Sequence, residues 1–328
     1  MAAGTPLRRF SLFRGAGLRH LEASATDWFT PCRVRSMGRG GEIASASVFA
    51  TALGPVKLVY AQNSGPQMAV DFTQQELNYV AMFALGGVNR VSVDDEQAVC
   101  SAQRATILSP QMVAGMDLSG EYAQLHLRID RFALERRLEQ MLGRAVTKPI
   151  RFRMDMDLTR PALASWMRGI KVLVRDLDDP FGLSAAATDV HPWSDFLMTG
   201  LLLAQPHSYS EALGQANRNG FRPRSLKRAV ELIEKDPADE LSLATICSVA
   251  GVGPRALQRE FKEYVGTTPR EYIQWVRLCR AHDDLLAGNG DTVTEIALRW
   301  GFSHVSRFAA AYRERYGTLP SETLRESR

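Results

Sequence analysis

From about Gly41 to Ile129 the chain carries short apolar runs, Val56–Tyr60, Tyr79–Leu85, Val88–Val93 and Ala105–Leu108, split by Gly, Asn, Asp and Pro. Runs of that length between turn-forming residues predict strands. Over Tyr122–Ile129 the pattern alternates, with Tyr122, Gln124, His126 and Arg128 set against Ala123, Leu125, Leu127 and Ile129, the period of a half-buried strand. Many short strands with turn signals predict a small barrel or sandwich. The period then becomes helical. Asp130 is placed to cap a helix that Gly143 stops. A second helix follows Thr159, with Pro161 in its first turn and Trp166, Ile170, Leu173 and Val174 facing inward. A third, over Pro192–Leu203, is apolar around much of its circumference and belongs in a core or a subunit contact. Residues 1–35 are polar and show no clear period, and His207–Pro223 is rich in Ser, Asn, Gln, Gly and Arg. The expected organisation is an N-terminal extension (1–35), an α+β domain built on a β-barrel with flanking helices (36–210), a linker (211–224) and an all-helical domain (225–328).

The helical domain contains a duplication. Leu241–Pro269 and Asp291–Pro320 share anchors: Ile246 answers to Ile296, Ala250 to Trp300, Gly251 to Gly301 and Val252 to Phe302, all 50 positions apart. Leu257 then answers to Phe308, Phe261 to Tyr312, Gly266 to Gly317 and Pro269 to Pro320, all 51 apart, so the second copy holds one inserted residue in its turn. Each copy reads as a helix, a reversal at glycine and a second helix packed across the first, a helix-turn-helix. The apolar anchors hold the pair together and leave the outer face of the second helix free for a major groove. Between the copies, Pro269–Gly288 reads as one long helix with Tyr272, Ile273, Val276, Ala281 and Leu285 as its buried stripe. Its length of about 30 Å is close to one turn of B-DNA, about 34 Å, so a rod of this kind can set two reading helices in successive grooves.

Composition narrows the remaining possibilities. Net charge is +4 over 328 residues, and residues 225–328 hold 15 Lys/Arg against 15 Asp/Glu, so arrangement rather than bulk charge must identify a DNA contact. No apolar run reaches the roughly 20 residues of a membrane helix and no secretory signal is evident; a cytoplasmic protein without a membrane partner is expected. Cys32, Cys100, Cys247 and Cys279 are scattered and form no C-x-x-C pair, which reads as reduced, packed cysteines. The barrel region has one histidine, His126, and no ligand spacing around it, so a metal-dependent barrel enzyme is disfavoured and His126 reads as a hydrogen-bonded strand residue. A DNA-repair alkyltransferase would need a cysteine cluster near the N-terminus, which Cys32 alone does not supply. No nucleophile triad or phosphate loop stands out, so neither an enzyme nor a cofactor is implied.

The pattern A-G-x(5)-L-x-R-x-F-x(4)-G-x-x-P, followed by GF-x(9)-Y-x(4)-G-x-x-P ending at Pro320, resembles the DNA-binding domain of the AraC/XylS family of transcription regulators over Ser225–Leu324. Ala105–Pro110, Leu125–Gly143 and Leu201–Leu213 are similar to the sensor domain of the XylS-like branch. The resemblance implies a cupin-like sensor domain that binds a small organic effector and dimerises, with double-stranded DNA and RNA polymerase as further partners. An alternative is a constitutive regulator whose first domain only dimerises or binds a protein. Activation and repression are both compatible with the sequence. The resemblance places base contacts at Arg255, Gln258 and Arg259, residue types that suit guanine and adenine edges, while Lys262 one turn later suits phosphate. In the second copy the corresponding positions are Ser306, Ala309 and Ala310, which have little hydrogen-bonding capacity. His304, Arg307 and Arg313 are the polar candidates there, with helix capping the alternative for His304. The first motif is therefore expected to carry most base discrimination and the second mostly backbone anchoring. Phe83 and Leu85 read as core, and the effector-lining residues depend on a strand register that a one-residue error inverts.

Overall fold

The computed structural model describes residues 5–17, 28–37, 45–144, 146, 148–185, 192–218, 223–239 and 241–326. The chain divides into two compact units, Met1–Met141 with Val146–Gly214, and Gln215–Arg328 with Leu142–Ala145.

The described part of the first unit is built on β1 (Ser11–Ala16), β2 (Cys32–Ser36), β3 (Ser45–Leu53), β4 (Val56–Ser64), β5 (Met68–Phe72), β6 (Tyr79–Gly86), β7 (Asn89–Val93), β8 (Glu96–Cys100), β9 (Arg104–Leu108), β10 (Ala114–Leu118), β11 (Tyr122–Ile129) and β12 (Asp155–Asp157). They form two antiparallel sheets, ordered β1-β3-β4-β11-β6-β9-β12 and β2-β5-β10-β7-β8. Residues from both sheets, including Val34, Met68, Val80, Met82, Val91 and Met116, share one apolar core. Two strands come from residues 1–35, which the sequence reads as an extension. β1 pairs with β3 and β2 pairs with β5, so this segment is part of the sheets. Helix α1 (Arg131–Leu142) begins where Asp130 Oδ1 accepts the Ala133 N–H at 2.8 Å. Helix α2 (Pro161–Asp178) buries Leu163, Trp166, Ile170 and Leu173, and α3 (Pro192–Ala204) buries Leu197, Met198, Leu201 and Leu202. A helix α4 (Ser210–Arg218) stands where the sequence reads a linker. It is anchored by buried Leu213, and the Ser210 hydroxyl accepts the His207 N–H at 2.8 Å, a local closure that leaves no periodic trace.

The second unit is helical: α5 (Arg224–Lys235), α6 (Leu243–Ala250), α7 (Pro254–Glu260) continued by a wide π-type turn at Phe261–Val265, α8 (Pro269–Ala287), α9 (Val293–Arg299), α10 (Val305–Tyr316) and α11 (Pro320–Glu326). Side-chain caps set the starts of three of them. Ser242 accepts the Thr245 N–H at the start of α6, and Thr268–Glu271 and Thr292–Glu295 form reciprocal capping boxes on α8 and α9. Leu226, Ala229, Ile233, Ile246, Leu257 and Phe261 belong to one buried cluster with the first half of α8.

Two glycines admit close approaches that no other residue permits. Gly301 has φ +75°, and a Cβ there would stand 2.8 Å from the Arg277 guanidinium carbon. In the first unit, a Cβ on Gly200 of α3 would stand 2.2 Å from Trp166 Cδ1 of α2, whose indole N–H donates to the Leu197 carbonyl at 3.1 Å. Gly200→Ala is expected to destabilise the first unit by about 1–3 kcal/mol, the usual range for overpacking, as a lowered midpoint in urea followed by Trp fluorescence.

Candidate functional site

Both repeats form the expected two-helix units. α6 ends at Gly251 (φ +73°) and α7 follows, while α9 is followed by Gly301 and α10. Leu257 and Phe261 of the first reader, and Phe308 and Tyr312 of the second, are fully buried. Arg255, Gln258, Arg259 and Lys262 are all exposed, as are His304, Ser306, Arg307 and Arg313. Spacings of three and four bring Arg255, Gln258, Arg259 and Lys262 to one side of the first reader. Among the described residues, the head groups of these four make no hydrogen bond or ion pair within the protein. His304 occupies the N-cap of α10 but makes no capping hydrogen bond with its side chain, and α7 likewise starts without a side-chain cap.

The two motifs are tied to α8 by Arg277. Its Nε donates to the Pro237 carbonyl at 2.6 Å and its two terminal nitrogens donate to the carbonyls of Asp239 (2.9 Å) and Gly301 (3.0 Å). The segment before α6 and the turn of the second motif thus meet on one planar group. α8 itself has 19 residues, about 28 Å at 1.5 Å per residue. On the second motif, Arg299 pairs with Asp284 and Asp291 at 2.8 Å each, and Trp300 Nε1 donates to Asp284 at 2.8 Å. His282 of α8 stacks on Tyr316 at 4.0 Å and meets the Tyr312 hydroxyl at 2.6 Å.

The first unit holds a cavity of about 70 Å³ between the two sheets, against roughly 10–15 Å³ for a single water. Val70, Val80, Met82, Met116 and Leu118 supply its apolar wall, and Asn63, Tyr122, Gln124, His126 and Arg128 its polar groups. Arg128 is paired with Glu76 at 2.9 Å, both side chains almost fully shielded, and Thr30 hydrogen-bonds to Glu76. His126 is buried edge-on to the Phe29 ring at 5.4 Å between centroids. Burial, reinforced by the nearby Arg128 charge, pushes its pKa down to about 3.

Comparison with known proteins places these features. The model of an AraC-binding-like domain matches residues 22–203, more than half of the chain, and that of a helix-turn-helix domain matches residues 246–326. The chain belongs to the AraC family of transcription regulators. A probable thc operon regulatory protein of Rhodococcus erythropolis is 37% identical over 203 residues, which is 61% of this chain and 60% of that one. The XylDLEGF operon transcriptional activator of Pseudomonas putida is 40% identical over 104 residues, 31% of this chain and 32% of that one. The matched parts therefore span less than two thirds of either relative. Among solved structures, a probable AraC family transcriptional regulator from Rhodopseudomonas palustris is 32% identical, covering 32% of this chain and 97% of that one with a TM-score of 0.31.

For this AraC-family protein, the strand β11 departs from the sequence expectation. Tyr122–Ile129 reads as half-buried, yet nearly every side chain in it is buried. β11 sits between β4 and β6, and its polar face turns into the cavity. His126 is a strand residue as expected, but among the described residues its ring contact is with Phe29 and no hydrogen bond to it is formed. Phe83 is core against Trp166, whereas Leu85 is 47% exposed, and β6 contributes Val80 and Met82 to the cavity. The cavity-lining residues were not identifiable from sequence; the polar positions alternating along β11 were the available signal. Cys100, Cys247 and Cys279 are buried and Cys32 is partly buried. Among the described residues no three of His, Cys, Asp and Glu converge as a metal site, and no helix is long and apolar enough to cross a membrane.

Removal of the Arg277 clamp by Arg277→Ala is expected to lower the stability of the second unit by about 1–3 kcal/mol, from lost charge-assisted hydrogen bonds. A DNase footprint should lose the contacts of the second motif before those of the first. The depressed pKa of His126 gives a second expectation. Its folded value lies below the ordinary 6.5, so protonation favours the unfolded chain and this contribution to stability falls as pH drops below the unfolded value toward the folded one. Between pH 6.5 and about 5 the first unit should lose about 1–2 kcal/mol in urea titrations, and His126→Leu should flatten that slope.

Proposed function

We propose that this AraC-family protein is a sequence-specific transcription activator that grips double-stranded DNA with both reading helices and answers to a small organic effector held between its N-terminal sheets. The observation that carries the reading is the outward cluster of uncommitted polar head groups on a helix whose opposite face is buried, repeated on a second reader at the far end of one rod. Arg255, Gln258 and Arg259 read base edges and Lys262 meets phosphate. His304, Ser306, Arg307 and Arg313 anchor the second motif, mainly through the backbone, because Ala309 and Ala310 supply methyl groups where the first reader has polar chains. The relatives support regulation of an operon, and activation in the Pseudomonas putida case. RNA polymerase is the partner an activator requires. A second copy of the chain is the proposed partner of the first unit, supported by exposed Val172 on α2 and Phe196 and Leu203 on α3. The proposed division of labour gives effector binding and dimerisation to residues 36–210 together with β1 and β2 of the preceding segment, and DNA to residues 225–328, at the nucleoid of a bacterial cytoplasm.

Selection of bound sequences from a random duplex pool tests the assignment. Arg259→Ala should relax choice at one base pair at a cost of about 1–3 kcal/mol, and Lys262→Ala should weaken all sequences alike and reduce the salt slope by about 1. Ala310→Arg should shift preference on the second half of the site. If Arg259→Ala and Ala310→Arg both leave affinity and preference unchanged, the reading helices are wrongly assigned.

A further inference from the structure

The polar groups of the N-terminal cavity narrow what it can hold, given the reading that this cavity is the effector site. Its wall is mostly apolar, and the charge it contains is already matched. Arg128 Nη2 stands 2.9 Å from Glu76 Oε1 and 3.4 Å from the Thr30 hydroxyl, with the two ion-pair side chains 9% and 1% exposed. A carboxylate entering here would have to compete with Glu76 for the same guanidinium while shedding its own hydration. It would also place a second negative charge beside a buried one, which costs far more than burying a neutral group. His126 adds no cation at neutral pH.

Two acceptors, by contrast, lack donors. Among the described residues Asn63 Oδ1 and Gln124 Oε1 have no hydrogen-bond partner; both side chains are buried, Gln124 completely, and both residues line the cavity. The orientation of Asn63 is fixed because its Nδ2–H donates to the Gly120 carbonyl at 2.8 Å, so the oxygen is the atom left over. Gln124 places its Nε2 toward Cys100 Sγ at 3.8 Å, which again leaves the oxygen. A buried acceptor without a donor costs about 1–3 kcal/mol, and a ligand N–H or O–H aimed at it recovers that cost on binding. A ligand that offers only acceptors leaves the cost in place.

We infer that the cavity selects an uncharged, largely apolar small molecule bearing at least one hydrogen-bond donor, an amide N–H or a hydroxyl, over a carboxylic acid of the same size. Discrimination comes from Asn63 and Gln124 as acceptors and from Glu76, which occupies Arg128.

Three probes of similar size separate the possibilities in calorimetric titrations of the full-length protein at neutral pH: benzamide, neutral with a donor; methyl benzoate, neutral without one; and benzoate. Benzamide should bind at least about tenfold more tightly than either of the others, the effect of one unmet buried hydrogen bond. Gln124→Met should reduce the preference of benzamide over methyl benzoate, and Gln124→Met combined with Asn63→Leu should remove it. Glu76→Gln, which frees Arg128, should raise the affinity for benzoate; if that variant fails to fold, the wild-type series decides alone. Benzoate binding as tightly as benzamide to the wild type, or no binding by any of the three, overturns the inference. Failure of the underlying reading has a separate signature. Ala46→Phe fills the cavity, and binding that survives it in a folded protein places the ligand elsewhere.

Discussion

The arrangement of the two DNA readers depends on a single planar cation. Arg277 sits part-way along α8 and donates three hydrogen bonds, to Pro237, Asp239 and Gly301. Its targets lie in the segment before the first motif and in the turn of the second, so one side chain indexes both motifs against the same rod. Arginine is suited to this because its five donors diverge from a rigid plane, whereas a lysine would offer a mobile point charge. The turn at Gly301 is shaped around it. A glycine is required there for its left-handed φ and again because the guanidinium occupies the space a Cβ would need. Gly251, its counterpart in the first motif, meets only the first of these demands, with open space where its Cβ would stand.

The two units handle polar groups in opposite ways. In the second, buried positions are given to Leu257, Phe261, Phe308 and Tyr312, and the charged groups on the outer faces of the same helices are left in solvent. In the first, polar side chains are drawn into the interior and most are satisfied there: Arg128 by Glu76 and Thr30, and Glu76 by backbone N–H groups of Leu77 and Asn78 as well. Among the described residues, the buried acceptors left without a donor include the two amide oxygens of the cavity lining, Asn63 Oδ1 and Gln124 Oε1, and on the reading proposed above these give the interior its chemical selectivity. A buried group without a partner costs stability, and it is in such places that folded proteins retain capacity to bind.

Much of the helical unit is legible in the sequence because its information is local and stated twice. Anchors recurring 50 and 51 positions apart, glycines at both reversals, and Pro269 and Gly288 at the ends of the rod each fix a structural choice within a few residues. The outward placement of Arg255, Gln258, Arg259 and Lys262 follows from the same periodicity, since locating Leu257 and Phe261 inside fixes the opposite face. The wide turn at Phe261–Val265 is not legible, as it arises from how the end of the first reader settles against α8.

The sequence by itself determined the duplicated helix-turn-helix unit, the rod between its halves and the residue types offered to DNA, because helical period and turn chemistry act over short stretches of chain. Tertiary structure alone decided the interior of the first unit. An alternating strand has the same pattern whether its polar face meets water or a cavity, and only the second sheet, brought in by pairings between distant segments such as β2 with β5, makes that face the inside. It also decided that residues 11–16 and 32–36 are strands and that 210–218 is a helix, because those segments take their structure from partners rather than from their own period.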